Sequence, residues 1–135
     1  MGERAQLPLS LVEAAVGVVL VLAVASGFAL GVASPGSSAA QLDAYADDTA
    51  TVLAAEPPRH GGTTRLAEVA RSEAGFERER AALDRRVDRI LPDNLMYRVE
   101  TPHGAVGYPV PAGAPVGERS VATGYGRVTV RVWYA

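Results

Sequence analysis

The chain has 135 residues, of which 13 are basic and 15 acidic, giving a formal charge of −2. That length suits one domain, or a small domain with an anchor, and the near balance of charge gives no electrostatic reason to expect nucleic acid. Cysteine is absent and every basic residue is arginine. The first fact excludes disulfides, zinc–thiolate and iron–sulfur sites, thiol catalysis and a lipidated-cysteine anchor. The second fits GC-rich coding or adaptation to salt.

The first element is an apolar block, Leu7 to Val32. Between Ala14 and Ala33 there is no charge, and Ser26 is the only polar side chain. Twenty residues make a helix of roughly 30 Å, which matches the hydrocarbon core of a bilayer. Three fates of this segment are distinguishable. A secretory signal would be removed near Gly31-Val32-Ala33, but its apolar region is usually shorter, about 7–15 residues. A plain anchor would stay uncut. A prepilin-type signal would lose only a short charged leader, residues 1–5, between Ala5 and Gln6. The residues favour the third, because Glu13 stands inside the early part of the run, where a charge is costly. In a pilin-type subunit such a carboxylate pairs with the amino terminus of a neighbour during assembly; the alternative is that it snorkels to the headgroups.

The transmembrane helix is expected over residues 6–33. Gly27 and Gly31 form a GxxxG, and Ala23 extends the same face by one further step of four. Small residues at that spacing allow close helix packing in lipid, although Gly and Ala are abundant enough here for chance to produce it. Arg4 is the one basic residue before the helix, which favours a cytoplasmic N-terminus and an external head.

Residues 34–38, SPGSS, read as a linker after a helix break. A helix follows over about 39–56, with Leu42, Tyr45, Thr49, Val52 and Leu53 on one face and Asp43, Asp47 and Asp48 on another. Pro57-Pro58 ends it, and Arg59-His60-Gly61-Gly62 is a loop. A second helical region is expected over about 64–91, with Pro92 as its stop and Gly75 as a kink or junction. Val69, Phe76, Leu83 and Ile90 recur every seven residues, while the companion row Leu66, Glu73, Arg80 and Val87 is half charged. A continuous coiled coil needs both rows apolar, so these positions suit packing on a sheet or a neighbour. The remaining charges read as a solvated face laced with pairs such as Glu77–Arg80 and Arg80–Asp84.

Three or four antiparallel strands are expected over about 95–134, with a turn at Thr101-Pro102-His103-Gly104. A proline-rich loop covers Tyr108 to Gly117, and a hairpin closes at Gly124-Tyr125-Gly126. In the last strand Val128, Val130, Val132 and Tyr134 face one way, toward the helices. Arg127, Thr129, Arg131 and Trp133 face the other, toward solvent or a partner. The fold class is therefore α+β: an N-terminal transmembrane helix, then an external head over 39–135 with helices packed on a small C-terminal antiparallel sheet, pilin-like in plan.

No catalytic constellation is apparent. His60 and His103 stand in separate loops with no HxxxH or HExxH spacing, so neither a metal site nor a cofactor is expected. Asp43, Asp47 and Asp48 lack the ligand spacing of a calcium loop. There is no GxSxG, P-loop or GxGxxG. Val69, Phe76, Leu83 and Trp133 are the candidate head interface, since aromatic anchors concentrate at contact surfaces.

The segment GERAQLPLSLVEAAVGVVLVLAVASGFALGV resembles the class III signal and hydrophobic helix of archaeal type IV pilin-like proteins. That resemblance implies cleavage by a prepilin peptidase between Ala5 and Gln6, and assembly through the helix with other pilin-like subunits. Glu13 would stand three residues further along than the glutamate of bacterial pilins. Over nearly the full length, AAQLDAYADDTATVLA, EPPRHGG, RRVDRILPDNLMYRVETPHGAVGY and RVTVRVWYA resemble a family of short haloarchaeal membrane proteins of unknown function, which supplies no catalytic residues. The expected function is a non-enzymatic pilin-like membrane subunit. The alternative is a single-pass anchored binding module that does not assemble.

Overall fold

The computed structural model describes residues 2–31 and 35–135. It divides into two compact units, Met1–Ser37 and Ser38–Ala135. The first contains α1, Gly2–Gly31, a single helix that runs through the expected leader boundary at Ala5–Gln6. Its residues Leu9–Phe28 have a mean hydropathy of 2.3 and none of this stretch is buried. The helix is long and apolar enough to span a membrane.

The second unit is an α+β head. Its helices are α2 (Pro35–Ala55), α3 (Arg65–Ala70) and α4 (Glu73–Ile90). Its strands are β1 (Leu95–Thr101), β2 (Gly104–Gly107), β3 (Gly117–Thr123) and β4 (Gly126–Tyr134). They form one antiparallel sheet in the order β2-β1-β4-β3, so the hairpins β1–β2 and β3–β4 are joined side by side, β1 against β4. Each hairpin closes with the same chemistry. Thr101 pairs with Gly104 and Thr123 with Gly126. Each threonine hydroxyl accepts from the amide two residues on, His103 or Tyr125, at 3.2 Å, and donates to the glycine carbonyl, at 3.0 Å and 2.7 Å respectively.

The start of α2 differs from the expected linker: the helix begins at Pro35, within the segment read as a break. Proline suits the first helical position, where its missing N–H would have no partner anyway. The expected linker residue Ser34, and Val32 and Ala33 at the end of the expected membrane span, lie outside the described residues. The second helical region is two helices. The boundary is set by Ser72, whose Oγ accepts from the Gly75 amide at 3.0 Å and caps α4, while Thr64 caps α3 through the Ala67 amide at 3.1 Å. Such caps satisfy first-turn N–H groups that have no helical partner.

The core lies between the helices and one face of the sheet. From α2 it takes Leu42, Ala46, Ala50 and Leu53; from α3 and α4, Leu66, Val69, Phe76, Leu83 and Val87; from the sheet, Tyr97, Val99, Val106, Val128, Val130 and Val132. Tyr97 donates to Asp84 Oδ1 at 2.7 Å. Burial first, and then the Asp84 carboxylate, push its phenol above the ordinary range. Asp84 thus serves α4–β1 packing rather than the expected pair with Arg80; Glu77–Arg80 does form, at 3.8 Å between exposed side chains.

The far face of the sheet carries a charged ladder. Arg131 contacts Glu100 at 2.6 Å and Glu118 at 2.7 Å, and Arg98 contacts Glu100 at 2.8 Å. Hydrogen bonds from Arg98, then from Arg131, hold the Glu100 carboxyl below its ordinary value. Trp133 departs from the expectation of an open face: it is 4% exposed. Alternation assigns a residue to a side of the sheet, but not whether that side is covered.

Two predictions follow from this packing. A Cβ at Gly117 would come within 2.1 Å of the Leu42 carbonyl carbon, so α2 rests directly on the β3 backbone. Gly117→Ala should cost about 2–4 kcal/mol, read as a lowered denaturant midpoint in the detergent-solubilised chain. The lowered Glu100 pKa means that its contribution to stability is complete above about pH 4.5, the ordinary value, and is lost as pH falls through the depressed value. Arg131→Ala should flatten that acid loss, by less than about 1 kcal/mol because the ladder is partly exposed.

Candidate functional site

The charged residues of α3 and α4 are not all on a solvated face. Glu68 is 1% exposed and Glu79 is 0% exposed. Glu79 follows Phe76 by three residues and precedes Leu83 by four, which places it on the inward stripe of α4. Glu68 belongs to the single turn and a half of α3, all but the first residue of which is buried. A buried carboxylate is costly unless it is paired or hydrogen-bonded, so each must be accounted for.

Glu68 holds the loop between α2 and α3. Its Oε2 accepts from the Arg59 amide and its Oε1 from the His60 amide, both at 2.8 Å. Those bonds fix Arg59-His60 over the helices and carry the His60 ring to the two carboxylates. His60 Nδ1 lies 3.6 Å from Glu68 Oε1 and in direct contact with Glu79 Oε1. Arg59 Nη1 is 3.6 Å from Glu79 Oε2, and Arg78 Nε is 3.9 Å from Oε1. Neither Glu79 oxygen has a geometrically sound hydrogen bond. One ring nitrogen of His60 and one oxygen from each glutamate lie within 4.8 Å of one another. Gly75 makes the approach of α4 to α3 close: a Cβ there would sit 3.1 Å from the Glu68 carbonyl oxygen.

The loop has a second anchor. Glu56, just past α2, pairs with Arg65 at 3.2 Å and with Arg86 of α4. Its carbonyl accepts from the Arg65 amide at 3.1 Å. The result is a loop pinned at its base by Glu56 and at its tip by Glu68.

The residues singled out from the sequence fall elsewhere. Val69, Phe76 and Leu83 are inside the core, at 0%, 2% and 0% exposure, and so present no surface to a partner. Their heptad spacing was the signature of packing on the sheet. Trp133 is buried as described above. Asp43 and Asp47 tie α2 to β3, through the Glu118 amide at 3.1 Å and Arg119 at 3.1 Å; they do not gather as a calcium site. His103 sits exposed at a hairpin tip. In α1, Glu13, Ala23 and Gly27 are exposed, and a Cβ at Gly27 would meet nothing within 4 Å. Ala5, Gln6 and Gly31 are helical, with side-chain surroundings outside the described residues.

Glu68 and Glu79 were missed by sequence reasoning. The one available signal was Glu79 at an inward helical position. Nothing local linked either residue to His60.

The profile of a family of unknown function (DUF7262) matches residues 3–134. The chain belongs to that family. The match runs through α1 and the whole head. Searches of curated proteins and of solved structures find no match.

Glu68→Ala should free the loop at its tip. Two amide bonds to a buried carboxylate are worth about 2–4 kcal/mol together. The expected readout is a matching rise in hydrogen exchange at the Arg59 and His60 amides, with little change in the β1–β4 amides.

Proposed function

We propose that this DUF7262 chain is a non-enzymatic, pilin-like subunit of the cell membrane. In this reading α1 crosses the bilayer once, with the N-terminus cytoplasmic and the head outside. The same helix then packs against other pilin-like subunits in a pilus or secretion-type complex. The observation that carries it is the apolar surface of Leu9–Phe28, broken by one charge at Glu13 and nowhere buried. Such a surface requires lipid or other helices around it.

Two features of α1 support assembly beyond simple anchoring. Glu13 and Gly31 are 18 residues apart, five full turns at 3.6 residues per turn, and therefore in line along the helix. Gly17 and Gly27 fall within about 40° of that line, so a carboxylate and three glycines share one face. Close backbone approach along this face would bury Glu13 against a neighbour, where an amino terminus or another donor can pair with it.

Pro8 supports processing at Ala5–Gln6 by a prepilin peptidase. It stands seventh in α1, Gly2–Gly31, where proline removes a helical hydrogen bond. After cleavage it would stand third, in the first turn, where that bond does not exist.

The test is disulfide-free cross-linking of the full chain in native-like membranes. Glu13→Leu, and separately Gly27→Leu with Gly31→Leu, should leave membrane insertion intact. Each should reduce cross-linked oligomer about tenfold, the loss expected for about 1.4 kcal/mol of helix association. Unchanged oligomer in both variants would overturn assembly through this face and leave an anchored module that does not assemble.

A further inference from the structure

We propose that His60, Glu68 and Glu79 form a binding site for one divalent transition-metal ion of the zinc type. The donor set is one imidazole nitrogen and two carboxylates, a combination suited to borderline divalent ions and poorly suited to the all-oxygen preference of calcium or magnesium. Donor atoms around an ion at about 2.0–2.2 Å lie no more than about 4.4 Å apart. The observed separations, all within 4.8 Å, exceed that limit by no more than a few tenths of an ångström, and the exposed His60 ring can turn to open its direct contact with Glu79.

The surroundings of each donor point the same way. Glu79 is 0% exposed, aimed at the cluster, and has no hydrogen bond to either oxygen. Glu68 is also buried, but the Arg59 and His60 amides already orient its oxygens. Each oxygen keeps a lone pair for an ion, the arrangement that outer hydrogen bonds give to metal-ligating carboxylates. His60 is 47% exposed, which opens a path from solvent to an otherwise buried pair. Three protein donors leave at least one position for water. Two carboxylates and a neutral imidazole also balance the charge of a divalent ion.

Arg59 and Arg78 are the competing cations. They stand at 3.6 Å and 3.9 Å from Glu79, with side chains 48% and 54% exposed. Both guanidinium groups can turn to solvent when an ion enters. His60 is the other competitor, since a protonated ring would pair with Glu79 in place of an ion. The site would then act as a staple, closing the α2–α3 loop onto α4 independently of any assembly through α1.

The experiment is calorimetric titration of zinc chloride into chelator-stripped full-length protein, monomeric in detergent, together with thermal unfolding. The expected result is one ion per chain with a Kd of about 10 μM or tighter, and a zinc-dependent rise in Tm. His60→Ala, on an exposed loop, should fold normally, weaken binding at least tenfold and abolish the rise. Glu79→Gln should weaken binding similarly. His103→Ala should change nothing. Absence of saturable binding would overturn the proposal in favour of a His60–Glu79 ion pair. So would zinc binding that survives His60→Ala, since the ion would then be adventitious. Because the readout is on the monomer, neither failure bears on assembly through α1.

Discussion

The dominant constraint on this protein is the apolar surface of α1. Leu9–Phe28 is helical, has a mean hydropathy of 2.3 and none of it is buried. At roughly 25 cal/mol for each Å² of apolar surface, leaving such a helix in water would cost more than a domain's whole net stability of about 5–15 kcal/mol. The helix is long and apolar enough to span a membrane, and in the proposed reading lipid or other helices surround it. Glu13 is the exception within it. A carboxylate near the start of the span must either reach the interface or find a partner, and it is on the glycine-bearing face that a partner would come closest.

The head has the opposite character. Its core closes on itself: α2, α3 and α4 together cover one face of the sheet, and the heptad residues that might have formed an external stripe are used inside. Several of the remaining charges fix one element to another. Asp43 and Asp47 hold α2 to β3, Glu56 holds the end of α2 to α3 and α4, and Asp84 receives Tyr97. The pair Glu68 and Glu79 is different in kind. Packing alone would be served as well by apolar residues. Their concentration of negative charge beneath a histidine loop is a chemical feature superimposed on the fold.

Much of this was legible in the sequence where the determinant is local. The long apolar helix follows from a run of apolar residues, the first turn of the sheet from Thr101-Pro102-His103-Gly104, and the second hairpin from Gly124-Tyr125-Gly126. The break between α3 and α4 was visible at Gly75, but its cause is Ser72, a capping residue that reads as an ordinary polar position inside a helical pattern. Pro35 misled because proline both ends helices and begins them. Trp133 misled because alternation says nothing of what covers a sheet face. The His60 cluster was illegible because its members come together only through tertiary packing: they are 8 and 19 residues apart and on three elements. The DUF7262 match, running from residue 3 to 134, covers both helix and head without assigning a role to either.

The central claim is that α1 belongs to a processed, assembling subunit. The measurement that tests it most directly is the mature N-terminus, by intact-mass and N-terminal peptide mass spectrometry of protein purified from membranes of a native-like host. The account predicts a chain beginning at Gln6, with α1 retained. A chain beginning at Met1 or Gly2 would contradict processing and leave an uncut anchor. A chain beginning at Ser34 would contradict the membrane subunit itself, since α1 would then be a signal that is discarded.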